Sequence, residues 1–250
     1  MNDDNQLPSR VFNYLLLRTI IGGIALSLPF VVWYLANQAY PSIEIPTSIS
    51  VTYHLGARDV FVGSLCVVSA FLFAYNGYYN KEHPRSQYHQ SLLSKVAGLC
   101  AAVLALSPMS CNNAWILEIT EQAINTCLQK PLLGFIPLGF LHTIAAIILF
   151  IILAIFCLYY FQFGAEEQEG KKKATRKIIY KFCGWIMVTA MLVGAYDLVS
   201  DFFGLYEKGH VSKIMFGVEL VCLVAFGFAW IVAGKQLPFL ATSRERQGFD

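Results

Sequence analysis

Six long apolar stretches run through this chain, and no water-soluble fold accommodates them. They cover residues 19–36, 59–79, 92–108, 138–161, 178–203 and 214–233. A bilayer-spanning helix needs about 20 apolar residues, and each stretch is near that length. None alternates apolar with polar residues at period two, so the spacing predicts helices rather than barrel strands. Composition agrees: 56% of the 250 residues are hydrophobic and 14% are charged, against roughly 25% charged in soluble domains. A soluble globular enzyme is excluded on that ground. A disordered chain is excluded by the wealth of Phe, Tyr, Ile, Val and Leu. The expected fold is all-α, a polytopic membrane protein with a bundle of six transmembrane helices forming a single domain over residues 1–250. The first stretch reads as a retained helix, because its apolar part exceeds the about 7–15 residues of a signal peptide. Pro29, Gly22 and Gly23 are tolerable inside it and would kink it.

Charge sets the expected orientation. With six spans, the two tails and the second and fourth connections share one side. That side carries 14 of the 18 Lys and Arg residues, and the other holds only Arg58, Lys130, Lys208 and Lys213. The positive-inside rule then puts both termini in the cytoplasm. Lys171, Lys172 and Lys173 read first as a topology determinant and second as a contact for anionic headgroups. Net charge is only +2 and the basic residues flank spans. Membrane lipids are therefore the expected partners, nucleic acid is not, and no protein partner is named by the residues.

Five of the seven cysteines fall within spans, where a thiol acts as a small apolar group. Cys111 and Cys127 lie in the third connection, which the orientation places outside, where disulfides persist. A bridge between them is expected; two free thiols are the alternative. No Cys/His spacing of a zinc motif is present. Ile116, Ile119, Ala123, Ile124 and Cys127 recur at helical spacing in that connection, residues 109–133. They predict a short amphipathic helix at the outer interface.

Ionisable groups inside a membrane are costly and are functional candidates by default. Arg58 and Asp59 open the second stretch, with His54 just before them. His142 lies in the first turn of the fourth, Asp197 and Asp201 near the end of the fifth, and Glu219 inside the sixth. Six spans bring all of these to the outer end, where a polar pocket is expected. Three uses follow. His142 could serve as general base oriented by Asp197, Asp201 or Glu219, with Asp59 also in the catalytic set and Arg58 and His54 binding substrate. The imidazoles and carboxylates could instead hold a divalent metal such as zinc that activates water. Or the set could be a structural network, with Arg58 paired to Asp59 or Glu219. No comparable cluster is expected at the cytoplasmic end, where Tyr75 and Asn76 read as interfacial. Trp33, Trp185 and Trp230 suit belt or packing roles.

Three short motifs are similar to a known family. Ile45-Pro46-Thr47-Ser48-Ile49-Ser50 precedes Arg58-Asp59-Val60-Phe61; His142-Thr143-Ile144-Ala145-Ala146 opens the fourth span; Glu219 is followed by Ala225-Phe226-Gly227-Phe228. Together with the span count they resemble the six-helix membrane family of DRAM-type autophagy modulators and GPI-anchor lipid-remodelling factors. Gly56-Ala57-Arg58-Asp59 departs from that family by lacking a proline before the acidic residue. The resemblance implies lipid remodelling or lipid organisation and points at Asp59, His142 and Glu219. Two function classes therefore stand: an outer-leaflet headgroup pocket with hydrolysis or acyl transfer, or a non-enzymatic lipid organiser, small transporter or partner-binding scaffold.

Overall fold

The computed structural model describes residues 14–42, 44–77, 84–109, 138–163, 171–206, 212–235, 237 and 239–241. Six long helices form, and no strand occurs among the described residues. They are α1 (Tyr14–Ala39), α2 (Arg58–Ala74), α3 (Pro84–Leu106), α4 (Leu138–Ile155), α5 (Lys171–Phe202) and α6 (Ile214–Ala233). A single π turn, Phe156–Tyr160, extends α4. A short 3-10 helix, Ser50–His54, lies between α1 and α2. Five helices are long and apolar enough to cross a membrane. The sixth, α2, has 17 residues, about 25 Å at the α-helical rise.

Several ends differ from the sequence expectation. The helices α3 and α5 begin in polar residues, at Pro84 and Lys171, because a helix continues past the hydrocarbon boundary when its backbone stays hydrogen-bonded. The helix α2 stops at Ala74 instead of running to Tyr79; Tyr75 turns to an extended conformation and its ring is buried. The connection carrying Cys111, Cys127 and the expected amphipathic helix lies outside the described residues, as does His210.

Each helix packs against its neighbours in chain order, and α6 closes the ring against α1. Lipid tails are as apolar as leucine, so helices associate through close packing and hydrogen bonds rather than through hydrophobic burial. Both devices are present. Gly22 and Gly227 bring α1 and α6 into backbone contact: a Cβ on either would lie 2.7 Å from the other's carbonyl oxygen. Between α2 and α3, Ser69 Oγ donates to Gly98 O and Ser94 Oγ to Leu72 O, both at 2.7 Å. The core is built around Trp230, which is fully buried. Its ring lies 4.9 Å from Phe226, 5.1 Å from Phe161 and 5.8 Å from Phe156. The π turn supplies Phe156, Cys157 and Tyr160 to this core; such turns rotate side chains that a regular helix would aim elsewhere.

Candidate functional site

One end of the ring is closed by the first connection. Residues 46–52, Leu55 and Ala57 are buried, although they form no long helix. Buried irregular backbone needs partners for its N–H and C=O groups, and the segment finds them partly within itself. Val51 N–H donates to Ser48 Oγ at 3.0 Å, and Thr52 Oγ1 donates to Ile49 O at 2.5 Å. Leu55 N–H reaches Thr52 O at 3.0 Å. Gly56, at φ +84°, allows the turn into α2.

The helix α6 supplies the rest. Glu219 accepts from Ile49 N–H through Oε2 and from Ser50 Oγ through Oε1 at 3.3 Å. Phe216 N–H donates to Thr47 O at 3.0 Å. The carboxylate of Glu219 thus acts only as an acceptor, within the first two turns of α6, and clamps the segment into the mouth of the bundle.

The two histidines hold the end of α3. His142, 3% exposed, donates from Nδ1 to Ser107 O at 2.6 Å. His54 donates from Nε2 to Met109 O at 3.1 Å. Ser48 Oγ also reaches Met109 Sδ at 3.4 Å. The two imidazoles lie within electrostatic reach of each other. Burial holds the His54 imidazole below its ordinary range; the bond to Met109 opposes this and the charge of Arg58 reinforces it. His142 Nε2 and Thr47 Oγ1 are buried with no hydrogen-bond partner among the described residues.

The remaining sequence candidates stand apart from this clamp. Arg58 is exposed and lies over the Tyr53 ring at 5.0 Å, pairing with neither Asp59 nor Glu219. Asp59 and Asp201 are exposed. Asp197 is buried and accepts from Tyr206 Oη at 2.7 Å and Ser212 Oγ at 2.8 Å, which ties the α5–α6 connection to α5. The Asp197 carboxylate raises the Tyr206 phenol above its ordinary range. No three His, Cys, Asp or Glu side chains come together in a metal-holding group among the described residues. The cysteines Cys66, Cys100, Cys157, Cys183 and Cys222 are free.

The opposite end corrects the expectation that it holds no polar cluster. Arg18, from α1, donates to Ala233 O at 3.1 Å and to Tyr75 Oη at 3.0 Å, with its guanidinium 5.4 Å from the centre of the Tyr75 ring. Tyr75 Oη donates to Gln90 Oε1, and Gln90 Nε2 to Ser86 Oγ, each at 3.1 Å. Tyr75, Gln90 and Ser86 are all buried. Arg176 donates to Leu240 O at 2.7 Å and Lys172 to Ala241 O at 3.1 Å. The sequence signal for this cluster was Arg18 itself, an ionisable residue at the edge of an apolar run. Tyr75 and Gln90 carry no comparable signal, because only the end of α2 and the start of α3 put them beside it.

A closed ring of six helices, five of them long and apolar enough to cross a membrane, defines a multi-pass helical membrane protein. No family model, curated protein or solved structure matches the chain.

Proposed function

We propose that the protein is a non-catalytic, lipid-binding membrane protein that crosses the bilayer six times with both termini in the cytoplasm. The observation that carries the reading is a lateral groove of about 590 Å³ between α5 and α6. Phe182, Trp185, Thr189, Ala190, Val193 and Gly217 line it, and the rings of Phe182 and Trp185 are mostly exposed beside it. The groove runs along α5 from Phe182 to Val193, about 16 Å at the helical rise. One leaflet's share of the hydrocarbon core is about 15 Å. An acyl chain of the leaflet at the mouth end therefore fits its length and chemistry. The clamp supports this reading: Glu219, His142 and His54 are each bonded to the protein's own connecting segments. The resemblance to DRAM-type and GPI-remodelling proteins, read as lipid organisation, points the same way.

Gly217 offers a direct test, since a Cβ there meets nothing within 4 Å. Gly217→Leu sets a side chain into the groove from a Cβ that touches no neighbour. Photo-crosslinking to a phospholipid carrying a photoactivatable acyl chain should then fall several-fold, with the protein still monodisperse. Unchanged crosslinking overturns the reading.

A second reading follows from His142 Nε2 and Thr47 Oγ1. Two buried polar atoms without partners suit a small polar ligand, and a headgroup processed by His142 and Glu219 would supply it. Metal analysis of the unmutated protein and lipid profiling of a His142→Ala/Glu219→Ala double variant separate the readings. Stoichiometric zinc, or an altered lipid profile with the fold retained, selects the catalytic one.

A further inference from the structure

We propose that the end of the bundle opposite the mouth binds a phosphate-bearing anion, the headgroup of an anionic phospholipid, at a site centred on Arg18. The proposal is independent of the α5–α6 groove. Arg18 lies at the edge of the apolar run of α1, and its partners come from two other helix ends: the Ala233 carbonyl, the Tyr75 hydroxyl and the Tyr75 ring. All are neutral. Among the described residues no carboxylate pairs with it. The described acids, Glu44, Asp59, Asp197, Asp201 and Glu219, all belong to the mouth end. A half-buried guanidinium at the end of a membrane span, with no counter-ion among the described residues, is a costly arrangement that a bound anion relieves.

Unused donors gather at the same place. Arg18 Nε is buried without a partner among the described residues. So is Trp230 Nε1, on a side chain with no solvent exposure. Trp230 stands one helical turn before Ala233, whose carbonyl Arg18 reaches, and its ring packs 6.0 Å from the same Tyr75 ring. Arginine and indole are donors only. A tetrahedral oxyanion, which only accepts, is the complementary ligand, and a guanidinium fork matches two of its oxygens. A phospholipid would reach the site with its phosphate at the helix ends and its chains along the bundle.

The experiment uses the full chain in nanodiscs of phosphatidylcholine alone or with phosphatidylglycerol, and in detergent with inorganic phosphate. Thermal midpoint and lipid retained in native mass spectrometry are the readouts. Phosphatidylglycerol should raise the midpoint and be retained in preference to phosphatidylcholine. Arg18→Gln should abolish the preference. Trp230→Phe, which keeps a ring and removes the N–H, should weaken it about tenfold, the effect of one hydrogen bond to a charged group; it keeps the test decisive should Arg18→Gln fail to fold. Equal response to both lipids, or a wild-type preference in Trp230→Phe, overturns the proposal. Inorganic phosphate acting in detergent as strongly as phosphatidylglycerol supports the anion site and overturns the lipid as its source.

Discussion

The two ends of the bundle use polar residues in opposite ways. At the mouth, Glu219, His142 and His54 reach backbone groups of connecting segments, so side chains on or beside helices hold irregular chain in place. At the far end, Arg18, Tyr75, Gln90 and Ser86 form a run of side-chain contacts that ties helix ends to one another. The mouth answers the needs of buried, non-helical backbone, although His142 Nε2 and Thr47 Oγ1 stay without partners among the described residues. The unpartnered atoms of the far end, Arg18 Nε and Trp230 Nε1, are both donors. Satisfied polar groups indicate structure; surplus groups of one sign indicate a ligand.

The largest effect should come from breaking the clamp. Glu219→Ala leaves the Ile49 N–H buried without an acceptor and releases Ser50. A loss of about 3 kcal/mol is expected, read by unfolding in mixed micelles. A cysteine placed at Ser48 should become reactive to a water-soluble maleimide in the same background. If it stays protected, the segment is held by packing and the contrast between the ends fails.

Next in size is Tyr75→Phe, which keeps the ring and removes the oxygen between Arg18 and Gln90. It should cost about 1.5 kcal/mol while leaving the Ser48 position protected. A variant that exposes that position would show the two ends to be coupled rather than separate.

The smallest effect concerns pH. His54 is held below its ordinary range in the folded state, so protons favour the unfolded or detached state. Its contribution is present above about pH 6.5, the unperturbed imidazole value, and is lost as pH falls below it. The thermal midpoint should drop between pH 8 and pH 5, and His54→Asn should flatten that slope. An equal slope in His54→Asn would assign the dependence to another group and leave the mouth without a titrating latch.

Much of this was legible before any coordinates. The six helices follow from apolar length, and the positions of His142 and Glu219 near one end follow from counting helix alternation. The depth of Glu219 among apolar neighbours made it conspicuous. What those groups touch was not legible. The partners of His142 and His54 are the carbonyls of Ser107 and Met109, and a backbone carbonyl has no sequence signature. The pairing of Arg58 with a carboxylate looked natural from adjacency, yet the side chain lies over Tyr53 because α2 begins with that face turned outward.

Hydropathy by itself determined that this chain forms long helices suited to a bilayer, since apolar run length answers directly to the thickness of the solvent it must cross. Only the tertiary structure decided that the ring closes through Gly22 against Gly227, that residues 46–57 fold into the mouth, and that Arg18 meets Ala233 and Tyr75 at the other end. Those contacts join residues from 57 to 215 positions apart in the chain. They depend on which helix faces meet, and that is settled by the packing of the whole ring.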